Sequence, residues 1–369
     1  MAYGRRTKPS WPASLFVTIL SCIAAYGIAW LVMSLGKMNP GEYKAIHPTR
    51  VENVQVVSDG FVYYDGSSLT MVKSDGNTRW TYLIGTGYRF RAGDAGTAAW
   101  NGNTVTLLEN GKGSVTYSGT MEGEVISALA GVKYSAIAVE TADNEGDSMI
   151  VLIDGNGRKM TPYIESEQAI VVDYGFFSGD SLFWTLTLDA NGTTPTTTVS
   201  TYLPGKRHMG SISNTDQVLY KALFQASQVM CVGETYIKRY DYQGTEDTKA
   251  RELVYGWYLE DADTRSENPL MAFAANSQYD GEHRVQDVRL IRGNTSRIVH
   301  YPFGCKAICV RDTCAYGFSS EGYVMKAQLD TDRVTAHRLP VGVEEVYGVT
   351  ADKMAVLGYG SGIYLVKLP

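Results

Sequence analysis

The stretch VVSDGFVYYDGSSLTMVKSDGNTRWTYLIG, running from Val56 to Gly85, carries three Asp-Gly pairs. Glycine reaches positive φ without steric cost and aspartate bonds to the backbone two residues on, so such pairs turn the chain tightly. Two of them, Asp65-Gly66 and Asp75-Gly76, separate the runs Phe61–Tyr64, Leu69–Val72 and Arg79–Ile84. Each run is rich in aromatic and β-branched residues and too short for a stable helix, so each reads as a strand. With Val54–Val57 in front, the stretch spells a meander of four short antiparallel strands.

The cadence recurs along the chain. Residues 95–118 turn at Asn101-Gly102 and Asn110-Gly111, and residues 147–164 turn at Asp154-Gly155-Asn156-Gly157. Further units follow at 181–200, 228–255 and 314–338, and the chain ends on KMAVLGYGSGIYLVKLP. No helical stripe is visible after residue 40. Units begin near residues 50, 88, 121, 166, 214, 256, 303 and 341. Four-stranded units at this spacing predict an all-β β-propeller of eight blades, with seven as the alternative count. A tandem of β-sandwiches is the competing architecture, and the sustained repeat argues against it. The last unit has three strands before Pro369, and residues 41–49 are placed to supply the fourth and close the ring. The 25 tyrosines and 38 glycines suit half-buried strand faces and tight turns.

The N-terminus differs from the rest. WPASLFVTILSCIAAYGIAWLVMSLG, residues 11–36, holds no charged side chain over its 26 residues. A bilayer-crossing helix needs about 20 such residues. Trp11 and Trp30 stand near its ends, where indole rings favour the lipid–water interface, and Arg5, Arg6 and Lys8 precede it. The positive-inside rule then predicts a cytoplasmic tail (1–10), a single transmembrane helix (11–36), a linker that can also provide the closing strand (37–49), and an extracytoplasmic propeller (50–369). A cleaved signal peptide ending near Ser34-Leu35-Gly36 is the competing reading. A lipoprotein reading at Cys22 fits poorly, because the apolar run continues for another dozen residues. Arg5-Arg6 departs from a twin-arginine signal in the Thr-Lys-Pro that follows.

Charge narrows the partners. Residues 1–37 contain Arg5, Arg6, Lys8 and Lys37 and no acid, so of the 33 basic and 39 acidic residues the body keeps 29 against 39, a net of −10. An acidic body is repelled by phosphate backbones, and nucleic acid is not expected as a partner. Neither a metal nor a cofactor is expected. His47, His208, His283, His300 and His337 show no metal-ligand spacing. Asp154 to Glu165 echoes a calcium loop, but Arg158 and Lys159 stand where an acid and a glycine belong, so it reads as a hairpin. The acidic run at 140–147 reads as a solvated loop. No Gly-x-Ser-x-Gly elbow or His-Glu-x-x-His is present, and no catalytic residue is assigned. If Arg311-Asp312 is a two-residue turn, Cys309 faces Cys314 at a distance a disulfide can span. The two readings, a bridge or two buried thiols, both stand. Cys231 reads as a buried apolar residue, and Cys305 is left over.

DGFVYYDGSSLTMVKSDGNTRWTYLIG resembles the repeat of the pyrroloquinoline-quinone-dehydrogenase-like propellers, in which a Gly-aromatic strand, a Leu-centred strand and a Gly…Trp strand follow in order. The remaining units share the rhythm and not the letters, and WD-repeat signatures are absent. Those quinone enzymes carry two adjacent cysteines over the cofactor; this chain has no such pair, which argues against quinone binding. One N-terminal span followed by a propeller resembles a family of uncharacterised membrane-anchored propellers of Gram-positive bacteria. That resemblance implies an exported domain with no known catalytic residues. The chain is also similar to the propeller of the outer-membrane assembly lipoprotein, which implies a protein-binding scaffold. The expectation is a membrane-anchored scaffold whose helix meets lipid and whose propeller binds another exported or membrane protein. The alternative is a propeller enzyme or binding protein acting on cell-wall or extracellular carbohydrate.

Overall fold

The computed structural model describes residues 38–369, except 142–147, 167–168, 178, 226, 267, 276–284 and 332, together with residues 18, 19, 21–23 and 26. Thirty-two strands, β1 to β32 in chain order, form eight four-stranded antiparallel sheets. Blades 1 to 7 are β2–β5 (53–83), β6–β9 (89–120), β10–β13 (123–166), β14–β17 (170–214), β18–β21 (219–253), β22–β25 (257–305) and β26–β29 (307–338). Blade 8 is β30–β32 (345–367), completed on its outer side by β1 (Tyr43–Ile46). The first strand of each blade is innermost and lines the central channel. These inner strands begin one to five residues after the starts read from the turn signals, so the eight-blade count holds.

The turns take the form the Asp-Gly pairs imply. Gly66 and Gly76 sit at φ +95° and +80°. The Asp65 carboxylate accepts from the Ser67 and Ser68 amides, and that of Asp75 accepts from the Asn77 amide. Asp154 does the same for the amides of Asn156 and Arg158, so the calcium-like stretch is a hairpin turn. In the Asn110-Gly111 turn the left-handed residue is Gly113, not Gly111.

The core is divided. Eight apolar clusters fill the eight junctions between neighbouring blades, each drawing side chains from both. Strands in such a sandwich are buried on both faces, which explains near-continuous apolar runs such as β12 (Ser148–Asp154) and β27 (Cys314–Phe318). Junction 8–1 closes the ring. Phe61, Val54 and Val72 there meet Val356, Ile363 and Leu365, and Met38 and Ile46 pack against them.

The chain joins the propeller at a defined face. β1 pairs antiparallel with β32, from Tyr43↔Val366 to Ile46↔Ile363, and the Gly41 amide donates to the Lys367 carbonyl. Residues 38–42 therefore lie at the face where inner strands end, here the lower face. Loops leading from blade to blade lie on the opposite, upper face. Of the segment read as transmembrane, residues 18, 19, 21–23 and 26 are helical. The rest, with Trp11, Trp30, Arg5, Arg6 and Lys8, lies outside the described residues. Among the described residues no helix is long and apolar enough to cross a membrane.

Candidate functional site in the central channel

Inner strands ordinarily alternate, but five of them are kinked. β10 (Gly123–Ala130), β14 (Ile170–Phe177), β18 (Leu219–Phe224), β22 (Trp257–Ala262) and β30 (Glu345–Val349) each carry an extra residue: Ile126, Val172, Tyr220, Glu260 and Tyr347. A bulge breaks the two-residue period and re-aims the side chains beside it. In four of these strands the next residue is polar: Ser127, Asp173, Lys221 and Asp261.

These residues help to build a polar girdle around the channel. Gln55 of blade 1 bonds the backbone of blade 2 at Phe90 and Ala92. Arg89 approaches Glu124 of blade 3 at 3.7 Å. Ser127 Oγ lies 2.8 Å from Tyr174 Oη across junction 3–4. Lys221 Nζ reaches Asp173 Oδ2 at 2.8 Å across junction 4–5. Tyr220 Oη accepts from the Leu259 amide, and Asp261 Oδ2 accepts from the Val310 amide. Arg311 donates to the Val349 carbonyl, and the Ala351 amide to the Ser58 carbonyl, completing the circuit.

The densest part of the girdle lies on blades 2 to 5. The Arg91 guanidinium sits 5.4 Å from the Tyr174 ring centroid, a cation–π contact, and 3.7 Å from Asp173 Oδ1. Asp173 is already engaged by Lys221 and by the Tyr174 amide. Burial pushes the Tyr174 hydroxyl above the usual phenol range, against the pull of Ser127 and Arg91. Beside this group lies a cavity of about 330 Å³, walled in part by Ile126, Ile170 and Val172. On the far side of the channel, burial raises the carboxyl groups of Glu260 and Asp261, and each is adjacent to another acid. Glu260 is accessible to water, yet the crowded channel wall desolvates it.

The lower mouth is narrowed. The turn of blade 6 carrying Asp263 and Arg265 lines a cavity of about 180 Å³ together with Val56, Ser58 and Asp94 from blades 1 and 2, across the ring. Arg265 pairs with Asp263 at 2.5 Å and approaches Asp312 at 3.4 Å. Burial would raise the Asp263 carboxyl, but Arg265 and the Asp312 amide outweigh it and hold it below the usual range.

The cysteine hairpin differs from the expected one. The turn is Asp312-Thr313, with Asp312 at φ +54°, so Arg311 faces Cys314 and Cys309 faces Tyr316. The one-residue displacement makes Cys309 and Cys314 diagonal neighbours. Diagonal Cα atoms in a sheet lie about 7–8 Å apart, beyond disulfide reach. Both thiols are free, as are Cys231 and Cys305. Burial pushes Cys231, Cys305 and Cys309 up to about 12, which leaves them poor nucleophiles. Among the described residues no group of three or more His, Cys, Asp or Glu side chains could hold a metal ion.

The sequence did not single out Arg91, Asp173 or Lys221. The available signal was one charged residue inside an otherwise apolar first strand, as in IVVDYGFF and LYKALF. Pattern alone could not say that three such residues meet.

No family model matches the chain, and no curated protein matches it. Solved structures do. The computationally designed Ika8 protein is 13% identical, with a TM-score of 0.56 over 88% of this chain and 97% of its own. BamB from Moraxella catarrhalis is 8% identical, with a TM-score of 0.55 over 88% and 98%. The WD40 domain of SCAP from fission yeast is 9% identical, with a TM-score of 0.57 over 88% and 98%. At such identities the likeness is one of fold.

Proposed function

We propose that this protein is a protein-binding scaffold held at the cell surface. In this reading residues 11–36 cross the membrane, the N-terminus stays in the cytoplasm, and the propeller stands outside. The observation that carries it is the sidedness of the propeller. The chain joins it at the lower face, through Met38 and the Gly41–Lys367 bond. The upper face, pointing away from the anchor, exposes Leu83, Ile170, Leu253, Tyr255, Tyr258 and Tyr359. Leu83 and Tyr255 are each 76% exposed. Exposed apolar side chains with polar tips among them are what protein interfaces use. Propellers, the architecture of BamB and the WD40 domains, are commonly protein-binding or scaffolding modules.

The test is cross-linking of the full-length protein in intact cells, followed by mass spectrometry. One exported or membrane protein, linked through residues near Tyr255 and Leu83, is the expected result. Cross-links to no protein, with wall polysaccharide alone retained, would overturn the scaffold in favour of the carbohydrate reading. Topology is tested separately: a Thr86→Cys variant should react with an impermeant maleimide on intact cells, and a Ser10→Cys variant should not.

A further inference from the structure

We infer that the cavity on blades 3 and 4 is a binding site for an apolar ligand bearing a carboxylate. Two independent observations converge there. The first is a cation that no acid holds by a hydrogen bond among the described residues. Among the described residues Asp173 is the one acid within 4 Å of the Arg91 guanidinium, and it stands at 3.7 Å, beyond hydrogen-bond distance, while Lys221 holds it at 2.8 Å. With Arg91 and Lys221 against Asp173, the group carries a net positive charge inside an acidic protein. A guanidinium presents its donors as a planar fork that matches a carboxylate.

The second is the apolar wall. Ile126 is 46% and Val172 41% exposed, and each is the extra residue of a bulge. Burying such side chains against a ligand releases apolar surface from water. A volume of about 330 Å³ admits an aliphatic chain of one or two amino-acid residues. Arg91 would hold the carboxylate, and Ile126 and Val172 would cover the aliphatic part.

Two sources share this chemistry, the C-terminal residue of a peptide and a free small organic acid. The experiment uses full-length protein in detergent and a fluorescein-labelled pentapeptide ending in leucine, read by anisotropy. Its carboxyl-terminal amide is the control, and 4-methylpentanoate is the competitor. The expected result is saturable binding of the free acid, with the amide and Arg91→Gln each weaker by about 10- to 100-fold, the range of a charge-assisted hydrogen bond. Arg91→Lys should recover only part of the loss. Displacement of the peptide by 4-methylpentanoate shows that the carboxylate and its aliphatic chain suffice. Binding of 4-methylpentanoate without the peptide, read by isothermal titration, assigns the site to small acids. Equal binding of acid and amide, wild-type binding by a folded Arg91→Gln, or no binding of either probe at millimolar concentration would overturn the proposal. The site does not require the upper-face partner, so the cross-linking result and this one stand or fall separately.

Discussion

Single residues reveal where the propeller tolerates nothing else. Gly113 holds φ +69°, and a Cβ there would lie 2.6 Å from Trp80 Cγ. Trp80 cannot retreat easily, because its indole donates to the Asn110 carbonyl at 2.9 Å in the same turn. Gly113→Ala should therefore destabilise by about 2–4 kcal/mol, combining left-handed strain with overpacking. Gly102→Ala, at φ +56° with nothing within 4 Å, isolates the strain and should cost about 1 kcal/mol. Urea unfolding of the pair separates the two effects. Lys238 is a different kind of special residue. Its side chain is 3% exposed, and its ammonium is bonded by Asn214 Oδ1 at 2.9 Å and both Asp216 oxygens at 2.7 Å. The Lys238 hydrogen bond holds the Asp216 carboxyl below its usual range. A carboxyl lowered on folding stabilises the protein above its unfolded-state pKa and loses that contribution as the pH falls through the folded one. Asp216→Asn should cost about 1–3 kcal/mol at neutral pH, less than a fully buried pair because Asp216 is half exposed and Asn214 remains. Its stability should also fall less steeply than wild type below about pH 4, measured by denaturation across that window.

At the level of elements, much was legible because propeller strands obey local rules. The strands around Asp65-Gly66 and Asp75-Gly76 lie within a residue of their expected limits, since turn chemistry and apolar alternation act over a few residues. The bulges were not legible. Nothing in IVVDYGFF says that Val172 is extra, because the bulge is decided by how β14 meets its partner and not by propensity. The channel site was hidden for the same reason: Arg91, Asp173 and Lys221 lie in three different units. The cysteine hairpin failed on a single residue, the choice of Asp312-Thr313 over Arg311-Asp312 for the turn. A two-residue loop with a positive φ at its first position suits aspartate far better than arginine, and that was the missed signal. β1 is the element with the largest leverage for its length. Its four residues cover the outer edge of β32 and bring Ile46 against the core of junction 8–1. Deleting residues 38–46 should lower the melting temperature and yield concentration-dependent association by size-exclusion chromatography, because a bare edge strand pairs with other chains. A deletion that leaves the melting temperature unchanged and the protein monomeric would remove β1 from any role in closure.

For the whole molecule, the division of the core into eight junctions sets the cooperativity. In an open repeat array each unit touches only its neighbours, and a weakened junction can unfold as a separate step. Here blade 8 is tied to blade 1 by β1, by the Ala351–Ser58 bond and by the cluster around Phe61. Every junction is therefore interior, and opening one frees two ends at once. Phe61 at junction 8–1 and Phe273 at junction 5–6 are both fully buried. Truncating either to alanine should cost about 3–5 kcal/mol. In a closed ring both variants should keep one cooperative transition and lose similar amounts of melting temperature, although one lies at the seam and the other across the ring from it. A second, earlier transition in Phe61→Ala alone, seen by calorimetry, would show that the seam opens before the rest and that β1 latches the propeller without making it continuous.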